Sequence, residues 1–292
     1  MPAVSAGDAS PWRVTGGRAV LATALAVMSA GCAAFHGFPP SASRREFRTS
    51  TVTVMLHGAP LELHLASPST HVSPTLVVYA TGDGGWFGTA VDMFHAIAAE
   101  GYRTVGFSSR TFLRIERPPH AALNARQLAA DYSAILAAAR TALGATGATP
   151  ALLTGWSRGA AFAAIAASEP ALRSQMRGVV AIGLGPNEDL KVDPDDDTDD
   201  GPIGTPGARA VGLAPYARLQ ALTPLRCAVV QASRDEYLPA ARARHLFGPD
   251  TVNRRLYPVE ARNHRFAGGH EAFVDALTHA LSWVDAGVTT AQ

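Results

Sequence analysis

The sequence predicts an α/β protein, a mostly parallel sheet with helices on both faces. Short, mostly apolar runs recur at 75–80, 103–107, 151–153, 178–184 and 226–232, as expected of strands covered on both sides, and 254–259 reads as a last strand. Between them lie segments of helical periodicity. In the longest, 124–143, Leu128, Tyr132, Ile135, Leu136, Ala139 and Leu143 fall at core spacing. Strand–helix alternation of this kind builds a parallel sheet. The third observation is local: Ala151 to Leu153 runs into Gly155-Trp156-Ser157-Arg158-Gly159 and then a small-residue helix, 160–167. That strand–turn–helix around G-x-S-x-G reads as a nucleophile elbow, which makes the expected fold an α/β-hydrolase; an ordinary turn whose serine caps the helix is the alternative.

Composition narrows the classes. The 292 residues are 47% hydrophobic and 17% charged with net charge +1, an ordinary globular balance that allows one large or two small domains. No clustered basic excess suggests a nucleic-acid surface. Lys191 is the only lysine, so arginine carries nearly all the positive charge.

Residues 1–32 are expected to be a signal peptide. Arg13 and Arg18 precede an apolar run, Ala19 to Met28, too short to span a bilayer comfortably. Ser29-Ala30-Gly31-Cys32 then resembles a lipobox, whose cysteine becomes lipidated after cleavage. Cleavage at an Ala-x-Ala-like site, giving a soluble exported protein, is the alternative. Residues 33–46, with Pro39 and Pro40, read as a linker.

The hydrolase domain is expected over 47–288, with 289–292 a tail. Alternation at 51–56 and 61–66 about Gly58-Ala59-Pro60 reads as an antiparallel hairpin. The strand at 75–80 feeds Thr81-Gly82-Asp83-Gly84-Gly85-Trp86 and a helix over about 88–100. This loop has neither the ending of a P-loop nor the spacing of a dinucleotide fingerprint. In the expected fold it supplies one oxyanion N–H, from Asp83 or Gly84, and Arg158 supplies the other. Further helices are expected over about 239–247 and 270–286.

From Glu188 to Asp200 eight carboxylates face a single Lys191. The run reads as a solvated loop, or alternatively as an acidic lid beside the active site. It lacks the central glycine and closing glutamate of an EF-hand. Cys227 lies in an apolar run and is expected to be a buried core thiol. No Cys/His metal spacing occurs, so neither metal nor cofactor is expected.

The order Ser157, Asp235, His264 is that of an α/β-hydrolase triad. Each lies just after a predicted strand, where ligands bind in open parallel sheets. His264 would take the Ser157 proton, and Asp235 would fix the imidazole tautomer. Glu236 is the alternative acid after a one-residue shift. Gly155 and Gly159 remove side chains that would clash at the elbow.

The loop Thr81 to Trp86, the Gly-x-Ser-x-Gly-Ala elbow, and a histidine followed closely by Phe266 and glycines resemble the AcvB/VirJ bacterial virulence family. Arg110-Thr111-Phe112-Leu113 with Arg117-Pro118 resembles a further family segment, and the similarity covers roughly 50–288. Arg158, Ala161-Phe162 and the acidic insertion depart from the family pattern, and no extra N-terminal domain is expected. The resemblance implies an exported α/β-hydrolase acting on aminoacylated phosphatidylglycerol, chiefly the lysyl form, with Ser157 as nucleophile, Asp235 as acid and His264 as base. The expected partners are an aminoacylated phospholipid or another ester substrate, and a membrane surface reached through a lipid anchor. A general carboxylesterase or lipase, and a non-catalytic envelope accessory protein on the same scaffold, are the competing readings.

Overall fold

A computed structural model of the protein describes residues 46–70, 72–115, 123–191 and 212–287. The signal segment with Cys32, the linker up to residue 45, Arg117-Pro118, the acidic residues 193–200 and the tail lie outside the described residues.

Eight strands form one sheet: β1 (Phe47–Leu56), β2 (Ala59–Pro68), β3 (Leu76–Ala80), β4 (Arg103–Phe107), β5 (Ala151–Trp156), β6 (Met176–Ile182), β7 (Arg226–Ala232) and β8 (Arg254–Val259). Their spatial order is β1-β2-β4-β3-β5-β6-β7-β8. The pairs β1/β2 and β2/β4 are antiparallel, and every pairing from β4 onward is parallel. This is the α/β-hydrolase topology.

The helices are α1 (Thr89–Ala99), α2 (Ser109–Arg114), α3 (Ala125–Ala142), α4 (Arg158–Ala167), α5 (Pro170–Arg173), α6 (Pro215–Gln220), α7 (Ala240–Phe247) and α8 (His270–Asp285). The sheet's alternation explains the unbroken apolar runs. Leu76, Val78 and Ala80 of β3 share a core with α3 and α4, while Val77 and Tyr79 share one with α1 and α8. A strand with both faces buried leaves few positions for a polar residue.

The hairpin is longer than its sequence suggested, and its turn is shorter. Ala59 and Pro60 belong to β2 and pair with Leu56 and Met55. Only His57 and Gly58 make the turn, at φ 51° and 86°, the left-handed pair that a two-residue hairpin matched to strand twist requires. His57 Nε2 lies 2.7 Å from Asp131 Oδ1, which ties this turn to α3.

α3 begins with a capping box, Asn124 and Gln127 each accepting from the other's backbone N–H. It packs beside α4, whose Ala160 to Ala167 are all buried. Small side chains let α4 sit close against the central strands, and that closeness fixes the turn before it.

Candidate active site

The elbow connects β5 to α4 at Ser157, whose φ of 56° and ψ of −119° lie outside the regions a non-glycine residue favours. Such a conformation costs on the order of 1–3 kcal/mol and persists only where its surroundings impose it. Here they do. A Cβ on Gly155 would stand 2.3 Å from the Gly159 carbonyl carbon, and one on Gly159 would stand 2.1 Å from the Ala80 carbonyl oxygen. The Ser157 N–H donates to the Ile182 carbonyl at 2.8 Å, which locks the turn to β6.

Asp235 and His264 come together from the ends of β7 and β8. His264 Nδ1 is 2.7 Å from Asp235 Oδ2, and both residues are buried. Three further N–H groups converge on the same carboxylate, from Gln231 Nε2 at 3.0 Å, Tyr237 N at 2.9 Å and Leu238 N at 3.2 Å. With Asp235 accepting on all sides, Nδ1 is the donor of the pair and Nε2 is the ring's acceptor. His264 Nε2 is buried and has no hydrogen-bond partner among the described residues. Its bond to Ser157 Oγ is therefore not formed in this structure.

The imidazole sits over the elbow. Its ring stacks on Trp156, centroids 5.4 Å apart, and the Trp156 Nε1–H donates to the His264 carbonyl at 3.3 Å. Gly183 makes room for it, since a Cβ there would stand 2.8 Å from His264 Cε1. Glu236, the alternative acid, holds the chain instead: its Oε2 accepts the His264 backbone N–H at 2.8 Å. Tyr237 meets the ring edge-on at 4.9 Å. Burial first, then Glu236, Asp83 and Asp235, pushes the Tyr237 phenol up to about 12.

The glycine-rich loop after β3 lies against the serine. Gly82 makes the approach, its would-be Cβ 3.2 Å from Ser157 Cβ, and Asp83 follows it directly. Gly84 turns toward Phe87 instead. Trp86 anchors the loop to the sheet, stacked on His64 at 3.8 Å and edge-on to Phe94 at 4.9 Å. Gly106 leaves the space, because a Cβ there would stand 2.4 Å from the Trp86 ring.

One charge cluster borders this loop. Arg158 Nε lies 2.7 Å from Asp83 Oδ1 and 3.4 Å from Glu188 Oε2. The contacts are ion pairs by distance, without hydrogen-bond alignment at Nε. Glu188 opens the acidic run read as solvated chain, and it is not solvated. Only 8% of it is exposed, and burial pushes its carboxyl up to about 7 against the opposing pull of Arg158 and the Leu190 N–H. A residue beyond the run fixes its backbone: Glu188 and Leu213 exchange backbone hydrogen bonds at 2.9 and 2.7 Å. Asp83 and Glu188 thus face a cation of the protein's own.

Gly82, Gly183, Gln231 and Trp156 complete the site and were not singled out by sequence, while Glu188 was read only as part of the acidic run. Gly82 lay inside the quoted loop motif, and Trp156 inside the elbow. Gln231 offered only a polar residue in an apolar strand. Cys227 is a buried thiol, pushed up to about 12 by burial.

The bacterial virulence protein (VirJ) family matches residues 74–277. No curated protein matches the sequence significantly. Among solved structures, the esterase domain of a Rhodothermus marinus protein is 17% identical, with TM-score 0.53, covering 82% of this chain and all of its own. An alpha-beta serine hydrolase homologue from Coxiella burnetii is 16% identical, with TM-score 0.53, over 79% of this chain and 96% of its own. The acylaminoacyl peptidase of Pyrococcus horikoshii is 11% identical, with TM-score 0.57, over 84% of this chain and 42% of its own. All share the α/β-hydrolase fold.

Proposed function

The chain belongs to the VirJ family of bacterial virulence proteins, and we propose that this hydrolase cleaves carboxylic esters through a Ser157–His264–Asp235 acyl-enzyme. The observation that carries this reading is the Asp235–His264 pair, which presents Nε2 as an acceptor above a strained serine elbow. His264 Nε2 takes the Ser157 proton as Oγ attacks the ester carbonyl, and Asp235 stabilises the resulting imidazolium. The oxyanion forms between the N–H of Arg158, in the first turn of α4, and that of Asp83 or Gly84. His264 then protonates the departing alcohol, and water releases the acyl group by the same steps in reverse.

The substrate we propose is an aminoacylated phosphatidylglycerol, most simply the lysyl form, split into amino acid and lipid. Family resemblance supports it, as does an exposed carboxylate, Asp83, beside the serine. A general carboxylesterase is the second reading, favoured by the commitment of Asp83 to Arg158 rather than to an outside cation. We also place the enzyme in the cell envelope, anchored through Cys32. Arg13, Arg18 and the apolar run before that cysteine support this. One acyl chain anchors only marginally, so the several chains of a mature lipoprotein matter. Fractionation of Cys32→Ser should release the protein from membranes, and equal retention would count against the anchor.

Lipid analysis after incubation with lysyl-, alanyl- and unmodified phosphatidylglycerol tests the substrate. Loss of lysyl-phosphatidylglycerol with release of lysine is expected. Turnover of a short-chain ester with all three lipids intact would leave the general carboxylesterase.

A further inference from the structure

The two residues expected to donate the oxyanion N–H groups are joined through their side chains. Asp83 sits on the loop after β3, and Arg158 is the first residue of α4. Their backbones belong to separate segments, and an oxyanion hole works only if the two donors keep a fixed separation. Asp83 Oδ1 lies 2.7 Å from Arg158 Nε, and the Arg158 side chain is only 12% exposed. On its other side Glu188 Oε2 stands 3.4 Å from the same nitrogen. Glu188 is itself fixed, its Oε1 accepting the Leu190 N–H at 2.9 Å and its backbone bridged to Leu213. With Arg158 largely buried and Asp83 half exposed, the pair is partly buried and screened less than one wholly at the surface.

We propose that Asp83, Arg158 and Glu188 form a clamp that holds the two halves of the oxyanion hole in register, with Arg158 at its centre. The side chains are positioning groups and do not touch the reacting atoms. The hydrolase elbow needs only a residue at position 158, and its backbone N–H does the chemistry. Arginine there uses the side chain to fix the opposing loop, whose two exposed residues, Asp83 and Gly84, would otherwise be held mainly through Gly82 and Trp86. Because the clamp acts on the oxyanion, it strengthens transition-state binding and leaves ground-state binding of a neutral ester nearly alone.

This inference rests on Ser157 being the nucleophile, and one set of measurements separates the two ideas. The variants are Asp83→Asn, Arg158→Gln and the double variant. The readouts are fluorophosphonate labelling, kcat and KM on p-nitrophenyl acetate, and inhibition by phenylboronic acid, whose serine adduct mimics the tetrahedral intermediate. Complete loss of one oxyanion donor costs about 100- to 1,000-fold in kcat. A loosened donor should therefore cost about 10- to 100-fold, with KM changed less than about threefold. Boronate affinity should fall by the same factor as kcat. The double variant should be no worse than the poorer single one, since each breaks the same contact. Single variants with kcat unchanged, or losses that multiply in the double variant, would overturn the clamp. So would a kcat loss that leaves boronate affinity intact. Asp83 is half exposed, so Asp83→Asn alone decides the question if Arg158→Gln does not fold. A wild-type protein that neither labels nor hydrolyses would defeat the serine-hydrolase reading, and the clamp with it.

Discussion

The side chain of Glu236 accepts the backbone N–H of His264 at 2.8 Å, while the adjacent Asp235 takes the imidazole Nδ1 at 2.7 Å. Neighbouring carboxylates thus divide two tasks, one holding the loop and one holding the ring. Asp235→Asn should lower kcat on a short-chain ester by about 1,000- to 10,000-fold through the wrong tautomer. Glu236→Gln, which removes charge but keeps an acceptor, should cost less than about tenfold. Steady-state kinetics of both variants checks this, and a reversed ranking would reassign the acid.

The elbow glycines answer to space. Gly155→Ala and Gly159→Ala place a Cβ within 2.3 and 2.1 Å of backbone atoms that cannot move independently. Each should cost more than about 3 kcal/mol or prevent folding. Gly147, with nothing within 4 Å of its would-be Cβ, is the control, and Gly147→Ala should change stability by less than about 1 kcal/mol. Chemical denaturation of the three variants measures the contrast.

Gly183 tests the site more than the fold. A methyl group there meets His264 Cε1 at 2.8 Å, and φ is 58°. Gly183→Ala should displace the imidazole and lower kcat by more than about tenfold, since small misplacements of catalytic groups are costly. Binding of a neutral ester, read as KM, should change far less.

The central strands were legible because burial on both faces writes them as apolar runs, and β1 and β2 because one-sided burial writes an alternation. The long helices were legible from periodicity. α2, α5 and α6 were not, being four to six residues long, too short for a period to repeat. Within the site, the sequence pointed to Asp235 but left Glu236 open. Only the fold shows which carboxylate reaches the ring. Of the two readings of the run from Glu188, the solvated loop fails at Glu188 itself, because counting charge along the chain does not register Arg158, thirty residues earlier, folded against it.

Glu188 also carries a pH signature. Burial raises its carboxyl from 4.5 to about 7, with Arg158, Asp83 and Asp189 the charges acting on it. A group whose folded pKa is raised binds more protons when folded. Its stabilising contribution is complete below about 4.5 and is lost as pH rises toward 7. Glu188→Gln removes this slope, so the variant should gain stability relative to wild type between pH 4.5 and 7.5. Denaturant midpoints at the two pH values measure it, and a constant difference would contradict the burial argument.

The central claim is that Ser157, served by His264, is the nucleophile. Intact-protein mass spectrometry after fluorophosphonate treatment, with the modified peptide sequenced, tests it most directly. The account predicts one adduct per chain on Ser157 and none on Ser157→Ala, which should also lose ester hydrolysis while keeping its melting temperature. An adduct that persists in Ser157→Ala, or a folded wild-type protein that takes none, would contradict it.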